Sequence, residues 1–159
     1  MFDYEEIAIH WVNRLGFLTR KELSARFHQA DHSISPEEWS LLLVLWKKGP
    51  QSPGALADVT IKDRTTVTRL LDGMVRKGLV TREEDPRDRR RSVVAVTPAG
   101  QEQKHELIRI AQGLIADALA DIPAEDVTIT IKTLKKMTEN LLPESLHVNE
   151  SKENQDATL

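Results

Sequence analysis

Apolar side chains recur along this chain at helical spacing in six places, and alternate in two short stretches. Ile7, Trp11, Leu15 and Leu18 share one helical face. Asp3 and Glu6 stand ahead of them as an N-cap and its returning acid, and the helix extends towards Phe27 with Gly16 inside it at modest cost. A polar stretch (HQADHS) follows. Ser35-Pro36-Glu37-Glu38 then opens a second helix: serine caps, proline takes the first turn and Glu38 closes the box. Trp39, Leu42, Leu43 and Trp46 form its stripe, and Lys47-Lys48-Gly49-Pro50 ends it. Ser52-Pro53 starts a short helix through Leu56 and Ala57, followed by a turn over residues 59–62. Asp63 caps the next helix, whose apolar positions are Val67, Leu70, Leu71, Met74 and Val75. Lys77-Gly78 closes it.

Leu79–Glu84 and Ser92–Thr97 read as two strands, joined by the turn-forming loop Asp85-Pro86-Arg87-Asp88-Arg89-Arg90. Thr97-Pro98 caps a long helix through Leu107, Ile110, Leu114, Ala118 and Ile122. Pro123 restarts a last helix through Val127, Ile131, Leu134 and Leu141, with a β-branched run (VTITI) that weakens its helical preference. Beyond Pro143 the chain is polar and acidic and reads as a disordered tail. The order is four helices, a hairpin and two helices. It predicts a mostly α fold of the α+β winged helix-turn-helix class.

Charge changes the picture. The chain is net −3 over 159 residues, which by itself argues against nucleic acid. Yet residues 61–98 hold 10 basic and 6 acidic side chains, while residues 1–60 and 99–159 are net −2 and −5. A basic block inside an acidic chain is the footprint of a DNA-binding element. Cysteine is absent, which removes disulfides, thiolate metal sites and thiol redox sensing. The five histidines show no helix-borne metal spacing, so no metal and no cofactor are expected. No apolar run approaches the roughly 18–20 residues of a membrane span, and the N-terminus does not read as a secretory signal. No contact with a membrane is therefore expected, and the cytoplasm is the expected location.

The chemistry gathers between Ile61 and Thr97. A helix enters the major groove when one face is anchored and the other is free and polar. The Val67–Val75 stripe is the anchor. Arg64, Thr65, Thr66, Thr68 and Arg69 are the free face, with Arg64 and Arg69 expected to govern base choice. Arg87, Arg89 and Arg90 crowd the hairpin tip, with Arg91 beside them. Such a tip can place an arginine in a narrow minor groove, and should govern affinity and salt dependence. Asp85 and Asp88 are expected to brace the loop by pairing with arginines. No enzyme motif is present. The rival reading, a winged-helix adaptor for another protein, has no need of an arginine cluster beside a polar helix face.

The stretches PEEWSLLLVLWKKGP and TTVTRLLDGMVRKGLVTREEDPRDRRRSVVAVTPAG resemble the MarR family of bacterial transcription regulators. The resemblance is collinear from Ser35 to Gly100 and extends into the flanking helices. It implies a homodimer joined by its terminal helices, binding a pseudo-palindromic operator in double-stranded DNA, and repressing more often than activating. Residues 1–34 would be a dimerisation helix, 35–97 the DNA-binding domain, 98–142 the C-terminal dimerisation helices and 143–159 the tail. It also implies the contact set named above, with Asp85 matching the aspartate that braces the wing. Gly73 departs from the longer polar residue common there. Many members bind a small aromatic or anionic effector between dimer helices and DNA-binding lobe. Trp11, Arg14 and Trp39 are the candidates here, although both tryptophans also sit at core spacing.

Overall fold

The computed structural model describes residues 2–144, so the expected tail beyond Glu144 lies outside the described residues. Asp3 does cap, but it caps a single 3₁₀ turn, Tyr4–Glu6, by accepting from the Glu5 amide at 3.0 Å. The expected box with Glu6 is replaced by this turn, and α1 (Ala8–Gln29) begins after it. Trp11 Nε1 donates to the Glu5 carbonyl at 2.7 Å and ties the turn to the helix.

The next three helices start where the caps place them. In α2 (Pro36–Lys48), Ser35 Oγ accepts from the Glu38 amide, and Glu38 Oε2 accepts from the Ser35 amide. In α3 (Pro53–Thr60), Ser52 Oγ accepts from the Ala55 amide. The turn expected from Val59 begins two residues later. Ile61 supplies it, in the left-handed region at φ 53°. In α4 (Arg64–Arg76), Asp63 accepts from both the amide and the hydroxyl of Thr66, each at 2.7 Å.

Strands β1 (Val80–Glu84) and β2 (Ser92–Val96) pair antiparallel, with Val80 opposite Val96 and Arg82 opposite Val94. Gln51 extends the ribbon by exchanging two backbone hydrogen bonds with Val94, which fastens the hairpin to the α2–α3 connection. The long helix expected after Thr97 is two: α5 (Pro98–Glu102) and α6 (Lys104–Ala118), parted at Gln103. It also stops before Leu119 and Ile122. Asp121 adopts a left-handed φ of 61°, and Pro123 disfavours helical backbone at Ile122. Helix α7 (Ala124–Leu141) absorbs its β-branched run. The hydroxyls of Thr128, Thr130, Thr133 and Thr138 each donate to the carbonyl four residues back, so these polar groups are satisfied within the helix.

The chain divides into two compact units, parting between Ile115 and Ala116 within α6. The core of the first contains Phe27, Leu41, Leu42, Leu56, Val67, Leu71, Met74, Val80, Val94 and Leu107. The stripe on α4 is narrower than its sequence suggests: Val75 is 43% exposed.

One charged group joins this core. Glu38 is only 5% exposed, and both its carboxylate oxygens accept from Lys77 Nζ, at 2.9 and 2.7 Å. This pair links the start of α2 to the residue that ends α4. Gly73 makes room for it, since a Cβ there would lie 3.2 Å from Glu38 Oε1. A longer side chain at this position would require the carboxylate to shift by a few tenths of an ångström.

Two outcomes are expected. At Gly100 a Cβ would overlap the Leu79 carbonyl and stand 2.8 Å from Val96 Cγ1. Gly100→Ala should therefore lower stability by about 1–3 kcal/mol, measured by thermal unfolding. Secondly, the hydrogen bonds from Thr66 hold the Asp63 carboxyl below its ordinary value. A depressed acid stabilises the fold above the unfolded Asp range, near pH ~3.9, and that contribution is lost as pH falls through the folded value. Asp63→Asn keeps an oxygen acceptor and should flatten this part of the melting-temperature profile. An unchanged acid limb would show that the cap contributes no pH dependence.

Candidate nucleic-acid interface

Helix α4 is sided. Val67, Leu70, Leu71 and Met74 are buried. The opposite side carries Arg64, Thr65, Thr68, Arg69, Asp72 and Arg76, which line an open groove of about 430 Å³. Four of the five residues read from the sequence as the free face are on this groove. Thr66 is not among its lining residues, and its hydroxyl donates to the capping Asp63. Arg64 lies against the start of α3: a Cβ on Gly54 would be 3.6 Å from its Nη2.

The hairpin tip spans residues 85–91, and the side chains of Arg87, Arg89, Arg90 and Arg91 are all exposed. The two aspartates shape the tip through the backbone more than through arginine side chains. Asp85 Oδ1 accepts from the Arg87 amide at 2.8 Å, and Asp88 Oδ1 from the Arg90 amide at 3.0 Å. The Asp85 amide donates to the Arg91 carbonyl and closes the loop. The expected aspartate–arginine pairing is limited to a loose contact of Asp88 with Arg91 Nε at 3.8 Å. Because these carboxylates hold amides, the arginines of the tip keep their guanidinium groups outward. Short Asx turns of this kind suit Asp.

Between α3, the start of α4 and the side of the hairpin lies a cleft of about 600 Å³. Arg64, Thr68, Arg82, Arg91 and Ser92 line it, with Asp58 as its one lining carboxylate. Arg82 Nε donates to Ser92 Oγ at 3.3 Å, and its Nη1 is 3.9 Å from Asp72. Arg82 is not among the residues expected from the sequence. Its signal is a cation within a strand directly after α4, which acquires meaning only once β1 is seen to flank that helix.

The candidate effector residues do not gather. Trp39 is a core residue whose ring meets Phe27 and Trp46 edge-on, at 5.5 and 5.7 Å. Trp11 is 52% exposed on α1. Arg14 lines a shallow depression of about 420 Å³ with His10, Asn13, Phe17 and Leu18, and neither tryptophan is on its wall. Among the described residues no cluster of three His, Asp or Glu side chains is placed to hold a metal. None of their helices is long and apolar enough to cross a membrane.

Comparison with known proteins agrees with this geometry. The MarR family profile matches residues 34–92, which span α2 to the start of β2. The uncharacterized HTH-type transcriptional regulator YkoM of Bacillus subtilis is 28% identical over 139 residues, covering 85% of this chain and 90% of the relative. The structure of Bordetella bronchiseptica BpsR, a protein whose DNA binding is regulated by 6-hydroxynicotinic acid, superposes with a TM-score of 0.78 at 20% identity, covering 87% and 97% of the two chains. Reduced AbfR bound to DNA superposes at 0.67 with 19% identity, covering 83% and 89%. Residues 34–92 thus carry the MarR family pattern, and the chain has the winged helix-turn-helix fold of the solved structures on which it superposes.

Proposed function

We propose that this regulator is a homodimeric repressor that binds a pseudo-palindromic operator in duplex DNA. Residues 35–97 form its DNA-binding domain, and residues 1–34 and 98–142 its dimerisation region. The observation that carries the reading is α4, apolar and buried on one side, arginine- and threonine-bearing and open on the other. Only such a helix can lie in a major groove without surrendering its fold. Arg69, Thr65 and Thr68 face the base edges. Arg87, Arg89 and Arg90 take the flanking minor groove, where potential is most negative. Thr66 serves through the cap.

The dimer is supported by unspent apolar surface. Helix α1 exposes Ile9, Trp11, Val12, Leu15, Phe17 and Leu18. Helix α7 exposes Ile129, Ile131 and Leu134. Each helix taken by itself leaves several large apolar side chains in water, which an interface with a second copy would cover. A small aromatic or anionic effector relieves repression, by analogy with the regulation of BpsR by 6-hydroxynicotinic acid. It must favour one spacing of the two wings to have any effect. Arg14 is the available carboxylate partner, while Trp39 serves the core. Action on DNA puts the protein in the cytoplasm.

The reading is tested by selecting sites from random duplexes and measuring variants on the selected site. Arg69→Ala should cost about 1–3 kcal/mol and relax one base position. Arg89→Ala should weaken all sequences and lower the salt slope by about one. Sedimentation should show a dimer. Unchanged binding in both variants overturns the contact set, and a monomer overturns the two-groove arrangement.

A further inference from the structure

The cleft beside the start of α4 shares Arg64 and Thr68 with the outer groove of α4 and Arg91 with the hairpin tip, and the contacts proposed above leave its Arg82 and Arg91 without a role. We propose that this cleft grips one phosphodiester of the DNA backbone, with Arg64 and Arg82 as its donors and Arg91 at the hairpin side. The inference rests on the proposed DNA-reading role and refines it, because it moves Arg64 from base choice to the backbone.

Location makes the first argument. A helix in the major groove and a hairpin in the neighbouring minor groove straddle the single strand of backbone that divides the two grooves. Whatever lies between them meets phosphates and not base edges. The cleft lies there, between α4 and the side of the hairpin. Charge makes the second. Three arginines line it against one carboxylate, Asp58. The third is posture. Arg64 rests beside Gly54 at the start of α3, and among the described residues it has no carboxylate partner. Arg82 is aimed in advance: its Nε is spent on Ser92, and Asp72 stands 3.9 Å from Nη1. The rest of its donor fork has the planar geometry that matches two phosphate oxygens. A volume of about 600 Å³ accommodates a phosphate with bridging water.

Equilibrium binding of the full chain to its selected site tests this. Arg64→Ala and Arg82→Ala should each weaken binding roughly tenfold for every sequence, with base preference unchanged and the salt slope reduced by about one. Asp58→Asn should tighten binding at low salt. Methylphosphonate placed at successive backbone positions should weaken the wild type at one phosphate per half-site. Arg64→Ala should be indifferent to neutralisation at that same phosphate. A change of base preference in Arg64→Ala at constant salt slope makes it a base reader and overturns the assignment. Full sensitivity of Arg64→Ala to every methylphosphonate does the same. A wild-type chain that retains no duplex at low salt overturns the DNA reading itself, and this cleft with it.

Discussion

The buried carboxylate of Glu38 is the constraint on which the reading head depends. It satisfies the Ser35 amide at the start of α2 and receives the Lys77 ammonium at the end of α4. Two helices distant in sequence are thereby fixed end to end. Hydrophobic packing along Val67, Leu70, Leu71 and Met74 holds α4 against the core but is non-directional. The charged anchor adds a directional contact at the end of the helix to the close packing of its buried side. A buried ion pair is a poor source of net stability, because desolvation offsets most of its attraction. What it supplies here is position, and the lack of a side chain at Gly73 is the space it requires.

The same economy runs through the hairpin. A cluster of arginines repels itself and tends to bury its charge against any nearby acid. In this tip the acids are occupied with amides, so the loop is rigidified and the cations remain available. Gln51 secures the ribbon at its base through Val94. The acidic remainder of the chain leaves the molecule net negative, which disfavours indiscriminate adhesion to nucleic acid while the basic block of residues 61–98 retains local attraction.

Helix starts were legible in the sequence because each is written in a few adjacent residues. Ser35, Ser52, Asp63 and Thr97 all cap as their neighbours require. The hairpin and the side of α4 that is buried were legible for a similar reason, being set by period. What escaped depends on distance. The link between Glu38 and Lys77 joins residues far apart, and nothing local in the sequence announces it. A threonine on a helix face also says nothing of where its hydroxyl is committed, and that of Thr66 is bonded to Asp63. Trp39 and Trp11 share the same pattern in sequence, yet one lies among Phe27 and Trp46 while the other is exposed. The end of α6 was misjudged because apolar spacing continued past Ala118 after the backbone had turned at Asp121.

The absence of cysteine offers a direct test of where the DNA lies. Single substitutions Thr65→Cys and Arg89→Cys would each create a unique attachment point for a tethered iron chelate that cleaves nearby DNA. On a selected duplex, cleavage from position 65 should fall within each half-site with the strand offset of a major-groove source. Cleavage from position 89 should flank the half-sites with the opposite offset of a minor-groove source. Localised cleavage from both positions in these patterns is the result the account predicts. Diffuse cleavage from position 65 on DNA that the protein binds tightly would mean that another surface meets the duplex, and would contradict it.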